Sequence, residues 1–337
     1  MDINNAQLKP FRSIFVIAEI ASAHNGEISL AKEMADAVRM SGADAVKYQM
    51  FRADELLVPG HSKYHKLEEI EFSQDEWAEI IRYARSLGLF VIAEIFDEGS
   101  FELALELGIE ALKIPTSDLT NPDILSRVAA TMKPLILSVG AATEKEIDFA
   151  VRKCEEVENR NLILMHGFQS FPTRVEDSNF RLLEFLKSKY SYDLGFADHI
   201  DAELRLARFL PLVAIGYGAS VIEKHITLAR SLKGRDYYSA LNPDEFSEMV
   251  SLVRDIEKGY GSHEIGASPA EIEYRRLMKK TIVALHDIPK GYYITADDIC
   301  FRRAGEEGLV PHEYGKLMKR ARRSIKKHAV IREIDVY

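Results

Sequence analysis

The chain has 337 residues, of which 47% are hydrophobic and 29% charged, and its formal net charge is −9. This composition is typical of a globular protein with one large domain and one small one, and the negative charge argues against a nucleic-acid surface. No apolar run is long enough to cross a membrane, residues 1–5 lack a basic signal-peptide start, and Cys154 and Cys300 lie far apart. We therefore expect a cytoplasmic protein without a disulfide framework, and we interpret the basic run 316–328 as a solvated helix face.

From residue 13 to about 258, short apolar runs rich in β-branched residues alternate with amphipathic stretches. The clearest helical stretches are 29–42 and 143–157, where apolar side chains recur at helical spacing. Eight successive strand–helix units predict an α/β fold of the (β/α)8 TIM-barrel type. An open doubly wound sheet is the alternative, but no Gly-x-Gly-x-x-Gly turn follows the first strand. The predicted strands are 14–20, 45–51, 89–96, 111–117, 134–140, 162–168, 193–197 and 220–227.

Two histidines end neighbouring predicted strands, in the stretches Asp198-His199 and Glu223-Lys224-His225. Alternate side chains of a strand share a face, so Glu223 and His225 point to the same side and His199 can approach them from the adjacent strand. The pattern suggests a divalent-metal pocket, although separated histidines are more often core or surface residues.

Many predicted strands also end in polar residues, and in a barrel these ends share one mouth. Lys47 and Lys113 lie inside otherwise apolar runs, where an unpaired ammonium group would be costly to bury. Both lysines therefore need an anion nearby. The polar residues expected around the mouth are Glu19, His24, Lys47, Gln49, Glu94, Asp97, Lys113, Thr116, Asp118, Ser138, His166, Gln169, Asp198, His199, Glu223 and His225.

The chain resembles the sialic acid synthase family along nearly its whole length. The matching stretches are IAEIASAHNG (17–26), GADAVKYQ (42–49), KIPTSDLTNPDIL (113–125), ILSVGAAT (136–143), MHGFQSFPT (165–173), GFADHI (195–200), VIEKHITLAR (221–230) and SALNPDEFSEMV (239–250). The last part of the chain is similar to the small antifreeze-like (SAF, β-clip) domain that ends these synthases. The expected organisation is a barrel at 1–258, a linker at 259–278 and a SAF domain at 279–337.

The resemblance implies a function and a set of site residues. Family members condense phosphoenolpyruvate with an N-acylated hexosamine to a nine-carbon sialic-acid-like (nonulosonic) acid, which makes this chain a carbon–carbon bond-forming transferase. A divalent metal, Mn²⁺ or Mg²⁺, is implied, and the expected assembly is a domain-swapped homodimer. The implied residues are Glu19, Lys47 and Glu223 for catalysis, His199 and His225 for the metal, Lys113, Thr116 and Ser138 for phosphoenolpyruvate, Gln49 and Asp236 for the sugar, Gln169 for substrate binding, and Arg303 as an arm from the partner subunit.

The sequence also departs from the family pattern. Ala197 stands where a serine usually precedes Asp-His, and Phe171 stands where a tyrosine is usual. The usual Thr-Pro-Phe-Asp segment is replaced by Glu94-Ile95-Phe96-Asp97, which adds a carboxylate. Two other functions therefore remain open at this point: a related synthase with a different sugar acceptor, and a catalytically silent carbohydrate-binding paralogue.

Overall fold

The computed structural model of the chain describes residues 14–261, 265–266 and 268–337. The chain divides between Tyr260 and Gly261 into two compact units. Residues 1–5, for which the sequence predicts no signal peptide, lie outside the described residues. The same holds for positions 262–264 and 267 of the expected linker. Within the described part, no helix is both long and apolar enough to cross a membrane.

The first unit alternates strands and helices in the order that the sequence predicts. The clear helical stretches begin and end within one residue of their predicted limits. Its elements are β1 Phe15–Glu19, α1 Ile28–Ser41, β2 Ala45–Met50, α2 Ala53–Leu56, α3 Tyr64–Glu68, α4 Gln74–Ser86, β3 Phe90–Ile95, α5 Glu98–Glu106, β4 Ala111–Ile114, α6 Pro122–Ala130, β5 Leu135–Ser138, α7 Glu144–Glu156, β6 Leu162–His166, α8 Arg181–Lys189, β7 Asp193–Asp198, α9 Leu210–Gly216, β8 Val221–Ile226, β9 Ala240–Leu241 and α10 Pro243–Gly259.

Strands β1 to β8 pair in parallel in chain order, and β8 pairs back onto β1, which closes the barrel. In this closing register Ile17 lies opposite Glu223, and Glu19 lies opposite His225. The short strand β9 adds to the end of β8 through His225 and Ala240. The predicted (β/α)8 barrel is therefore confirmed.

Side chains of alternate parity build two layers around the barrel wall. The outward-facing residues pack against the helices in the main core, as Val16, Val46 and Val91 do. The inward-facing apolar residues of the strands form a second cluster inside the barrel. Because both faces of each strand are buried, the strands are nearly continuous apolar runs in the sequence. The inner cluster contains Ile17, Ala45, Ile92, Ala111, Ile136, Ile163, Met165, Ala197 and Val221.

The capping residues of α4 and α7 explain why the starts of these helices can be predicted from the sequence. Thr143 caps α7 and Ser73 caps α4, and each hydroxyl accepts a hydrogen bond from the backbone N–H of the glutamate three residues later. Each glutamate in turn accepts from the backbone N–H of the capping residue. This reciprocal arrangement satisfies donors that the first turn of a helix leaves free.

The second unit contains α11 (Pro269–Met278) and an antiparallel pair formed by β10 (Thr281–Ala284) and β11 (Ile299–Arg302). Ten residues of the expected linker thus form a capped helix, whose side chains are all exposed. The unit has its own core. That core contains Ile282, Ala284, Ile288, Ile294, Ile299, Leu309, Leu317, Ala321, Ile325, Ile331 and Val336.

The prediction of a helix face for the basic run 316–328 is wrong. A 3-10 turn ends at Leu317, and the rest of the run pairs through isolated bridges such as Ala321 with Val336 and Ile288 with Ile325. Leu317, Ala321 and Ile325 are buried at a spacing of four residues. That spacing imitates one face of a helix, which explains the error.

Candidate active site

A cavity of about 420 Å³ opens at the carboxyl ends of the barrel strands, which is where TIM barrels carry their active sites. Of the twelve site residues expected from the sequence, eleven line this cavity. Arg303 belongs to the second unit, where its side chain is exposed just after β11. The eleven are Glu19, Lys47, Gln49, Lys113, Thr116, Ser138, Gln169, His199, Glu223, His225 and Asp236.

Lys47 stands at the centre of a buried group of charges. Its ammonium nitrogen lies 2.7 Å from Glu94 Oε2 and 2.8 Å from Glu223 Oε1, and it donates a hydrogen bond to each. It also lies 2.8 Å from Glu19 Oε2, but the angle of that ion pair does not meet hydrogen-bond geometry. Both Glu19 oxygens are thus buried without a hydrogen-bond partner among the described residues.

Lys113 occupies the next position around the barrel. Its ammonium group donates to both oxygens of Glu223, at 2.7 and 2.9 Å, and lies 3.6 Å from Glu94 Oε1. Burial lowers the pKa of Lys113, but the nearby charges of Glu223 and then Glu94 outweigh it and raise the pKa above its usual range. Lys113 is therefore charged, and the anions that the sequence required for both lysines are in part the protein's own carboxylates.

The carboxylates respond to the same two lysines. Burial raises the pKa of Glu223, but the charges of Lys113 and then Lys47 outweigh burial, so that the pKa lies well below its usual range. For Lys47 burial is the larger influence, and its pKa is lowered although Glu223 and Glu94 raise it. Glu19, Glu94 and Glu223 together place three carboxylates around two ammonium groups.

His199 and His225 meet beside this cluster, with their ring centroids 5.4 Å apart. Burial lowers the pKa of His199 to about 4 and that of His225 well below its usual range, so both rings are neutral near pH 7. His199 Nδ1 lies 3.1 Å from the carbonyl oxygen of Phe168. An Nδ1–H that donates to this oxygen leaves the lone pair of Nε2 free, which is the form of imidazole that binds metals.

Two neutral imidazoles fit a metal that takes its remaining ligands from water or substrate. No group of three or more His, Cys, Asp or Glu side chains among the described residues converges as a metal site. A closed structural zinc site, which needs four protein ligands, would not fit here. The ring of Phe171 lies 4.4 Å from that of His199 and covers the pair from one side.

The remaining polar residues lie around the wall of the cavity. Thr116 donates to the backbone oxygen of Ser138 at 3.2 Å, and Gln169 donates to the carbonyl oxygen of Gly167. Asp236 accepts a hydrogen bond from the backbone N–H of Ser22. Burial raises the pKa of Asp236, and the Ser22 hydrogen bond only partly offsets this effect.

Several polar residues expected at the mouth face elsewhere. Asp198 points outward and binds Lys224 at 2.8 Å, because it has the opposite parity to His199. His24 packs against Phe72, with ring centroids 4.6 Å apart. Asp97 caps α5, and His166 lies 3.0 Å from the backbone oxygen of Ser178.

Sequence reasoning gave no role to Glu94, which contacts both site lysines. Its inward parity with Ile92 and its register opposite Gln49 and Lys113 were the signals that could have placed it in the cluster. Lys63 and Tyr238 also line the cavity and were not expected, because both come from loops whose path the strand pattern does not determine.

Two family models match this chain. The model of the NeuB family matches residues 34–265, and that of the SAF domain matches residues 279–336. The chain is 33% identical to N,N'-diacetyllegionaminic acid synthase of Legionella pneumophila over 90% of this chain and 89% of that protein. It is 30% identical to human N-acetylneuraminate-9-phosphate synthase over 90% of this chain and 87% of that protein.

A crystal structure of N-acetylneuraminic acid synthetase from Leptospira borgpetersenii superimposes with a TM-score of 0.73 at 30% identity, covering 79% of this chain and 93% of that chain. The family match covers more than half of the chain and contains every charged and histidine residue of the cavity except Glu19. The chain therefore belongs to the NeuB family, with a SAF domain at its C-terminal end.

Proposed function

We propose that the chain condenses phosphoenolpyruvate with an N-acylated hexosamine to form a sialic-acid-like nonulosonic acid and inorganic phosphate. Its relatives are named as synthases of legionaminic, pseudaminic and sialic acids. The observation that carries the proposal is the position of Lys47 and Lys113 beside two neutral histidines in one cavity. Its volume of about 420 Å³ lies in the range of small-molecule sites.

The reaction needs one new carbon–carbon bond and one broken carbon–oxygen bond. C3 of phosphoenolpyruvate bonds to the aldehyde carbon of the sugar, water adds at C2, and the bond from C2 to the phosphate oxygen breaks. The two protons of water end on the new hydroxyl and on the phosphate. An enol carbon is a modest nucleophile, so the site must align both substrates and stabilise the charges that develop.

The residues around the cavity divide these tasks. In this proposal Lys113 and Lys47 stabilise the leaving phosphate. Ser138 donates a hydrogen bond to it, and Thr116 does so when its hydroxyl turns away from the backbone oxygen of Ser138. Among the described residues no donor makes a hydrogen bond to Glu19, so its oxygens are free to receive a proton and pass it on. Glu223 holds both lysines in place through its hydrogen bonds. Gln49, Gln169 and Asp236 bind sugar hydroxyls.

A divalent cation, Mn²⁺ or Mg²⁺, held by His199 and His225 would polarise the aldehyde oxygen as a Lewis acid. The two neutral imidazoles support this part of the proposal. We expect Mn²⁺ to bind the full-length chain, as measured by calorimetry, and His225→Ala to weaken binding severely. His65→Ala removes an exposed imidazole and should leave Mn²⁺ binding unchanged. Equal binding by both variants would place the metal elsewhere.

The proposed reaction is tested by phosphate release from phosphoenolpyruvate with a panel of N-acyl hexosamines, with and without Mn²⁺. We expect release only when a suitable hexosamine and the metal are both present, together with a product that contains the carbons of both substrates. Phosphate release without any acceptor, or none with every acceptor, would contradict the proposal.

We also propose that the active assembly is a domain-swapped homodimer in which Arg303 acts on the partner's barrel. Arg303 is exposed, and arginine can bind an anion through two parallel hydrogen bonds. Mixing an inactive Arg303→Ala chain with an inactive His225→Ala chain should restore part of the activity, because one site of the mixed dimer then has both residues. No recovery after verified subunit exchange would exclude the swap.

A further inference from the structure

Glu94 contacts both lysines of the proposed phosphoenolpyruvate site. It comes from β3, between β2, which carries Lys47, and β4, which carries Lys113. Its Oε2 accepts from Lys47 at 2.7 Å, and its Oε1 lies 3.6 Å from the nitrogen of Lys113. Glu94 is buried within the protein and lines the cavity. One carboxylate of the cavity wall thus contacts both cations.

In this arrangement Lys47 has one donor left for a substrate, because the other two donate to Glu94 and Glu223. An ammonium group has three N–H donors. Lys47 has three carboxylates within 2.8 Å, those of Glu19, Glu94 and Glu223. An anion that is to bind Lys47 through more than one hydrogen bond must therefore replace Glu94 or Glu223.

Glu94 is the carboxylate that can most easily be replaced. Glu223 is bonded to both lysines and makes two hydrogen bonds to Lys113 alone. Glu94 makes one hydrogen bond to Lys47 and a longer contact to Lys113. Without the charge of Glu94, two carboxylates would still balance two ammonium groups. The lysines therefore do not need Glu94 for neutrality, and its charge is the excess charge of the cluster.

We propose that Glu94 sets the affinity of the site for phosphoenolpyruvate: it occupies the anion-binding side of Lys47 and Lys113 in the free protein and takes up a proton when the substrate anion displaces it. This inference rests on the function proposed above. In this role Glu94 competes with the substrate anion for the two lysines and does not itself bind the substrate.

The proton uptake follows from the groups around Glu94. Burial raises the pKa of Glu94, but the charges of Lys113 and then Lys47 outweigh it and lower the pKa in the free protein. Glu223 on β8 acts in the opposite direction, and Glu19 on β1 adds a further negative charge beside Lys47. Once the substrate anion binds the lysines in place of Glu94, burial and the neighbouring negative charges remain and raise the pKa of Glu94. Binding of phosphoenolpyruvate should therefore strengthen as the pH falls.

Calorimetric titration of the full-length chain with phosphoenolpyruvate, without an acceptor sugar and with Mn²⁺ present throughout, tests this role. Titrations in two buffers with different heats of ionisation count the protons taken up. We expect Glu94→Gln to bind phosphoenolpyruvate about tenfold more tightly than the wild type and to take up no proton, because a neutral amide does not compete for the lysines. Inorganic phosphate as a second probe should show the same change.

A matched control and a second variant keep the test sharp. Glu98→Gln removes an exposed carboxylate four residues away and should bind phosphoenolpyruvate as the wild type does. Glu94→Thr serves if the glutamine variant does not fold, and it should also bind more tightly. Equal or weaker binding by the folded Glu94 variants would overturn the inference.

The outcomes separate this inference from the proposed function. Tighter binding by Glu94→Gln without condensation of any acceptor would support the role of Glu94 and remove the proposed function. Product formation by the wild type, with unchanged phosphoenolpyruvate affinity in Glu94→Gln, would support the proposed function and contradict the role of Glu94. If neither protein binds phosphoenolpyruvate, both proposals are wrong.

Discussion

Two groups of buried opposite charges lie on the two faces of the same barrel wall. On the outer face, Lys224 and Asp198 form a single pair 2.8 Å apart, and both side chains are almost fully buried. Asp198 also accepts from the backbone N–H of Ile200, so its second oxygen is satisfied. This pair does not line the cavity.

The inner group has more negative than positive charges and is open to the cavity. Lys47 and Lys113 share three carboxylates, one of which lacks any hydrogen bond among the described residues, and all five groups face the cavity. A balanced and enclosed pair contributes to the structure alone, because it has no unsatisfied group to offer a ligand. An unbalanced cluster beside a cavity can exchange its internal partners for a substrate, which is why burial by itself does not identify a functional lysine.

The largest expected effect is that of Lys113→Met. This variant leaves three carboxylates around one ammonium group, and we expect it to lose about 3–5 kcal/mol of the free energy of unfolding, as for a broken buried pair. It should also lose its synthase activity, because the leaving phosphate then lacks a cation. Chemical denaturation and phosphate release measure the two effects.

The double variant Lys113→Met/Glu94→Gln sharpens this test, since it restores the wild-type excess of one carboxylate. It should regain part of the lost stability but none of the activity. The control Lys258→Met removes an exposed ammonium group and should change neither quantity. A Lys113→Met protein as stable as the wild type would show that the inner cluster is not held together by charge.

Lys224→Met should lose stability but keep its catalytic rate. The remaining Asp198 would be a buried charge without a partner, which costs about 3 kcal/mol. Lys224→Met/Asp198→Asn should recover most of this loss, because the amide oxygen can still accept from Ile200. Denaturation curves and the catalytic rate of the folded fraction distinguish this outcome from a loss of catalysis, which would place Lys224 in the active site.

The smallest expected effect concerns His24, a buried group that forms no ion pair with any of the residues that the structure describes. Burial lowers the pKa of His24 to about 4, below that of the unfolded chain. Between these two values the unfolded chain binds more protons, so stability is complete above about pH 6.5 and is lost as the pH falls. His24 should account for about 2 kcal/mol of the loss between pH 7 and pH 5.

His24→Asn should remove this part of the loss, because asparagine keeps an acceptor for the backbone N–H of Gly26 but does not titrate in this range. His65→Asn, at an exposed position, is the control. Denaturation at pH 7 and at pH 5 measures the difference. An unchanged pH dependence in His24→Asn would mean that His24 has the same pKa in the folded and in the unfolded chain.

The sequence by itself determined the barrel and the residues of its cavity. Eight apolar runs with intervening amphipathic stretches favour one architecture, and strand parity then assigns Lys47, Glu223 and His225 to the inner face. This parity is local, since it depends only on the alternation of side chains along one strand. Family resemblance supplied the roles that were expected for these residues.

Only the tertiary structure decided which of these groups are partners. Lys47 and Glu223 are 176 positions apart in the chain, and their hydrogen bond exists because the barrel closes between β8 and β1. The pairing of β7 with β8 placed Asp198 beside Lys224, and the pairing of β3 with β2 and β4 placed Glu94 between two lysines. The pKa of a buried group depends on its burial and on the charges within a few ångströms, and neither can be read from positions along the chain.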